Sequence, residues 1–147
     1  MSSPARSGKA GCCMSDLKCA RLMLRSAEQD MRSLQILAAE GPEEGFGFHV
    51  QQAMEKAFKA WLALLGELYP LTHDLKTLLD RLAECGADVE PWREAERYTP
   101  YAVQFRYTGV DPETEAIDRV AAAEAVRTLL AKVAQQLVVA EGGAERG

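Results

Sequence analysis

The chain has 147 residues, long enough for one domain with a continuous core, and its 48% apolar and 27% charged composition is that of a folding protein and not of a disordered one. Seventeen Lys and Arg against 22 Asp and Glu leave a formal charge of -5 and a pI near 5.1, which excludes a global basic field and confines any RNA or DNA contact to a local patch. The four cysteines, Cys12, Cys13, Cys19 and Cys85, form neither a CxxC pair nor a set of zinc ligands, so neither a metal site nor a cofactor is expected. The start reads as no secretory segment, and no apolar run approaches the roughly 18 residues that span a bilayer. Free thiols in a reducing cytoplasm are therefore expected, with no membrane contact.

In chain order, "MSSPARSGKAG" has nothing to anchor it to a core, so residues 1–14 are expected as a flexible tail and residues 15–140 as the helical domain. From Ser15 and Asp16 the apolar residues Leu17, Ala20, Leu24, Ala27, Met31, Leu34 and Ala38 step by three and four, which predicts one long amphipathic helix stopped by Gly41 and Pro42. The same periodicity in "FHVQQAMEKAFKAWLALLG" predicts a second helix from about Gly45 to Leu65, with Gly66 just past its end. In "YPLTHDL" the Thr72 hydroxyl is expected to cap a third helix, with Asp74 in its first turn, a Leu75, Leu78, Leu79, Leu82 stripe and a stop at Gly86. "VEPWREAERYT" reads as helical, Pro100 as its interruption, and "YAVQFRY" as a turn or two more. In "DPET", Asp111 as cap and Pro112 at the first position predict a long last helix carrying Ile117, Val120, Val126, Leu129, Leu130, Val133 and Leu137. Residues 141–147 are expected as a frayed tail. With no alternating strand pattern and no repeat, the fold class is all-α, a bundle of four to five helices.

No Ser sits in a Gly-rich elbow, and neither GxxxxGK[ST] nor GxGxxG occurs, so hydrolase triads and the common phosphate cradles are excluded. Chemistry is left to side chains. On the second helix Glu55 and Lys59 form an i,i+4 pair, at the surface worth a few tenths of a kcal/mol, while His49, Gln52, Lys56 and Lys59 line one side at steps of three, four and three. Spacing alone favours a solvated face. At "THDL" a bare helix start would attract an anion and leave His73 to accept a hydrogen bond, whereas the simpler reading has Thr72 and Asp74 as caps and His73 in a polar contact with the second helix. Arg106 and Tyr107 suit stacking on a base or gripping a phosphate, and suit packing equally.

The order of "AEQDM", "FHVQQAMEKAFKAWL", "THDL" with the Leu stripe, and Tyr101 followed by Arg106 and Tyr107 resembles the HEPN family, the higher eukaryotes and prokaryotes nucleotide-binding domain, over about Asp16 to Leu137. The resemblance implies an antiparallel bundle, commonly a homodimer, often working with a small nucleotidyltransferase in a two-component or toxin-antitoxin system. It also implies a nucleotide or RNA as ligand. Some members are metal-independent ribonucleases in which an Arg is followed roughly four to six residues on by a His, a cation for phosphate beside an acid or base. This sequence departs from that pattern, because no Arg stands in that window before His49 or His73 and no His follows Arg93, Arg97 or Arg106. The expectation is a binding module and not an enzyme, with His49, Gln52, Lys56, Lys59, His73, Asp74, Arg106 and Tyr107 as ligand-binding residues. The alternative is a ribonuclease with a non-standard site and His73 as its catalytic residue.

Overall fold

The computed structural model describes residues 16–102 and 116–146, and among these every regular element is helical. α1 spans Asp16–Ala39, α2 Glu43–Leu64, α3 Leu75–Glu84 and α4 Arg119–Arg146, with a 3₁₀ helix at Glu90–Ala102 between α3 and α4. The all-α HEPN-like helical bundle expected from the pattern is what forms. Among the described residues no helix is long and apolar enough to cross a membrane.

α1 buries Ala20, Leu24, Ala27, Met31 and Leu34, the stripe that its three- and four-residue steps require. Gly41 then takes φ +150°, Pro42 follows in extended conformation, and α2 begins at Glu43, two residues ahead of the expected start. α2 is the central helix and packs against α1, α3, α4 and the 3₁₀ helix. That position explains why it buries Phe46, Val50, Met54, Phe58, Trp61 and Leu62 on more than one side. Full burial of such a side chain contributes roughly 1.5–3 kcal/mol. Gly66 closes α2 at φ +75°, donating to the Ala63 carbonyl while Glu67 donates to Leu62, each at 3.0 Å. Gly86 ends α3 in the same way at φ +90°. A left-handed glycine just past the last turn pairs carbonyls that the helix itself leaves open.

Two expectations need correction beyond α3. The segment Glu90–Ala102 is 3₁₀ with a break at Trp92, and Pro100 lies within it instead of interrupting it. Its buried residues Trp92, Ala95, Tyr98 and Tyr101 recur at every third position, the period of a three-residue turn, and Pro100 falls on the exposed side where its missing N–H is harmless. Trp92 meets Trp61 edge to face at 5.8 Å and donates its indole N–H to the Ala125 carbonyl, tying this segment to α2 and α4.

α4 does not extend back through Ile117. Residues 116–118 are non-helical, and Asp118 caps the helix by accepting from the Ala121 N–H at 3.0 Å. The buried stripe runs through Ala122, Val126, Leu129, Leu130, Val133 and Leu137, which leaves Val120 on the outside at 82% exposure. Asp111 and Pro112 lie outside the described residues, as does the tail expected over 1–14. At the other end α4 continues through Arg146, past the fray placed at Glu141, and the Glu141 carboxylate accepts from Arg21 Nε of α1 at 2.9 Å.

Candidate functional site

The polar side of α2 is not a row of side chains meeting only water. Two carboxylates buried at its base, Asp30 from α1 and Glu55 from α2 itself, organise it. Asp30 sits in the apolar register of α1 between Ala27 and Met31, so it projects into the α1–α2 seam. There its two oxygens accept from His49 Nδ1 at 2.8 Å and Lys56 Nζ at 2.7 Å. Phe48 lies edge-on to the His49 ring at 5.2 Å. Glu55 accepts from Gln51 Nε2, Lys59 Nζ and His73 Nδ1, each at 2.9 Å. The pairing of Glu55 with Lys59 was expected at the surface. Their side chains are only 9% and 13% exposed, because the loop carrying His73 folds over this part of α2 and Tyr69 places its ring 5.9 Å from the Lys59 ammonium.

Gln51 has no exposed surface at all, and its amide accounts for its own burial. Nε2 donates to Glu55 and also to the His73 carbonyl at 3.1 Å, while Oε1 accepts from Gln52 Nε2 at 2.7 Å. His73 is therefore held to α2 twice, by its ring and by its backbone. Its side chain is nonetheless 64% exposed. In both histidines Nδ1 faces a carboxylate, and among the described residues no hydrogen bond reaches Nε2. A neutral ring in that setting donates from Nδ1 and presents the Nε2 lone pair outward.

The start of α3 is not bare. Asp74, expected in the first turn, is the cap itself: its Oδ1 accepts from Lys76 N at 3.1 Å and its Oδ2 from the Thr77 hydroxyl at 2.9 Å. Thr72, expected as the cap, accepts instead from the Asp74 N–H, and the Leu75 N–H goes to the Thr99 hydroxyl of the 3₁₀ helix, each at 3.0 Å. A carboxylate and two hydroxyls thus occupy the donors that a free anion would need. Asp74 is a helix-capping residue here, and the N–H groups of residues 74, 75 and 76 are already taken at the start of α3.

Two acids and two lysines balance in charge, so the face carries no net positive field from these four. Burial alone would push the Glu55 carboxyl up, but the hydrogen bonds from Lys59, His73 and Gln51 and the Lys59 charge outweigh it and hold it below the ordinary carboxylate range. Of the eight residues expected in the site, five converge here: His49, Gln52, Lys56, Lys59 and His73. Arg106 and Tyr107 lie outside the described residues. Asp30 and Gln51 were not singled out, although an acid inside the apolar stripe of an amphipathic helix is a readable signal of a buried ion pair.

With this geometry in place, a family model described as the HEPN domain matches residues 20–133. The chain belongs to the HEPN family. The HEPN match takes in all of α2 and α3 and both buried carboxylates, so the polar cluster lies inside the shared domain and not in an appendage. Comparison of this HEPN chain with the curated proteins and with the solved structures gives no significant match.

Proposed function

We propose that this HEPN domain is a binding module whose ligand, a nucleotide, is received on the polar side of α2 by His49, Gln52, Lys56, Lys59 and His73. The observation that carries the reading is the anchoring of two imidazoles and two ammonium groups on buried carboxylates, with the histidine Nε2 edges and the remaining ammonium protons left for a ligand. A charge-balanced face is poorly suited to a long polyanion, whose binding needs many uncompensated cations. It suits a small ligand with both donors and acceptors. HEPN domains are often dimeric, and the module would work as a homodimer beside a small nucleotidyltransferase in a two-component or toxin-antitoxin arrangement.

Calorimetric titration with ATP and related nucleotides tests the site. The parent chain is expected to bind, and His73→Ala and Lys56→Ala to bind at least tenfold more weakly with unchanged circular dichroism. No binding by the parent, or equal binding by both variants, would overturn it. A second reading, a metal-independent ribonuclease, is favoured by one feature: a carboxylate holding Nδ1 of an exposed His73 is the arrangement that orients an imidazole as a base. Cleavage of total RNA without metal by the parent, lost in His73→Ala, would establish that reading; we expect no cleavage.

A further inference from the structure

Between the 3₁₀ helix and α4 lies a cavity of about 260 Å³ that none of the polar-face residues lines. Its contact with α2 is through Met54, which points away from Gln52 and Lys56 around the helix. Three of the four side chains that recur at every third position of the 3₁₀ helix, Trp92, Ala95 and Tyr98, line it, and each is more than nine-tenths buried. Trp92 has used its N–H on Ala125. Tyr98 has not: among the described residues its hydroxyl has no hydrogen-bond partner, and unlike the enclosed Tyr101 hydroxyl it keeps contact with solvent, so it is free to accept from a ligand. The methyl groups of Ala122 and Ala125 make the α4 side of the cavity apolar.

The mouth has one sign of charge in excess. Glu90, Glu94 and Asp118 line it against Arg97, and with Arg93 paired to Glu90 at 3.7 Å the balance is still three carboxylates to two guanidinium groups among the described residues. The Glu94–Arg97 pair spans 3.9 Å with Glu94 almost wholly exposed, so that acid is not committed to Arg97. Asp118 uses one oxygen on the Ala121 N–H. The Tyr98 hydroxyl lies in the field of these same groups: burial pushes it above the usual phenol range, Arg97 opposes this, and Asp118, Glu94 and Glu43 add to the rise.

We propose that this cavity binds a small organic cation, an ammonium group carried on a short apolar body. The ammonium has three N–H donors and no acceptor, which matches an unfilled phenol oxygen and carboxylates that only accept. Tyr98 and Trp92 supply aromatic surface beside the same charge, and the alanine side takes the hydrocarbon. An anion is repelled, and a neutral molecule of the same shape lacks the charge that the mouth selects. The volume lies below the roughly 300–1,000 Å³ of drug-sized pockets, which limits the ligand to a monoamine or short diamine. This site is independent of the nucleotide reading.

The test is titration of the full chain with n-pentylamine, 1-pentanol and pentanoate at constant ionic strength, followed by tryptophan fluorescence, since Trp92 forms one wall and Trp61 touches it. Pentylamine should give a saturable change, pentanol should bind at least tenfold more weakly, and pentanoate should give none. Tyr98→Phe and the exposed Glu94→Gln should each weaken pentylamine severalfold, and Ala122→Leu, which fills the cavity, should abolish it. Equal binding of pentanol and pentylamine, no saturation with pentylamine, or parent-like affinity in both Tyr98→Phe and Glu94→Gln would overturn the proposal. The two polar variants keep it testable should Ala122→Leu fail to fold.

Discussion

Glu55 shows what a buried charge requires. Its carboxylate is out of water, and three donors from three different side chains replace the lost hydration. Truncation to Glu55→Ala would leave the Lys59 ammonium, 13% exposed, without its partner, and removing one member of a buried pair costs about 3–5 kcal/mol. Urea denaturation should show a loss of that order, with Glu55→Gln losing less because an amide still accepts from Lys59. The pH dependence has a definite sign. A carboxyl whose folded pKa lies below its unfolded value binds fewer protons when folded, so its contribution is present above the ordinary carboxylate range and is lost as pH falls through it. Stability of the parent should therefore fall more steeply on acidification than stability of Glu55→Gln. Parallel curves would mean that Glu55 is not held in its charged form.

At the scale of elements, α2 owes its place to close approach as much as to its apolar stripe. Gly47 lies under the Tyr101 ring of the 3₁₀ helix, and a Cβ there would stand 2.4 Å from a ring carbon. In an exposed helix interior, replacing Gly by Ala gains roughly 0.5–1 kcal/mol. Here the ring has no room to give, since Tyr101 is itself 2% exposed. Gly47→Ala should instead destabilise by about 1–3 kcal/mol, the usual cost of overpacking. Combining it with Tyr101→Leu should recover part of that loss, and a double-mutant cycle by chemical denaturation measures the coupling. Strict additivity would show that the two do not meet. The 3₁₀ helix teaches a related lesson about pattern. Trp92, Ala95, Tyr98 and Tyr101 at steps of three are compatible with an α-helix on paper, and the fold takes the tighter turn, with Pro91 and Pro100 both on its exposed side.

For the whole molecule, the apolar side chains left outside are concentrated on two helices that pack against each other. Leu22 and Ile36 on α1, and Val138 and Val139 on α4, remain exposed after the core has closed. Homodimerisation would cover such surface, and light scattering at micromolar concentration should give about twice the 16.1 kDa of one chain. Ile36→Asp and Val138→Asp should shift the mass toward that of the monomer. A parent mass of one chain, independent of concentration, would exclude the dimer.

The helices themselves were legible without any coordinates. Apolar steps of three and four place α1, α2 and α3 within one or two residues of their ends, and Gly66 and Gly86 mark two of the ends by taking the left-handed conformation that other residues resist. The family was legible too, through "FHVQQAMEKAFKAWL" and "THDL" in that order. What the polar side of α2 faces was not. A helical pattern records which side chains share a face, and it does not say what stands opposite. Asp30 reaches Lys56 across 26 residues and His73 reaches Glu55 across 18, contacts that exist only once α1 and the loop before α3 have packed on α2. Read along the chain, Lys59 has Glu55 one turn away and Lys56 is a free cation; in the folded molecule Lys56 too has a carboxylate, Asp30. The Asp74 cap is local, on Lys76 and Thr77, and lies within the simpler reading of "THDL"; the same packing gave the Leu75 N–H to Thr99, because a backbone donor at a helix start takes the acceptor that the tertiary fold brings within 3 Å. Sequence determined α1, α2 and α3 and their apolar faces. Tertiary structure decided the pairings, since burial of a charge is a property of two surfaces and the sequence states only one at a time.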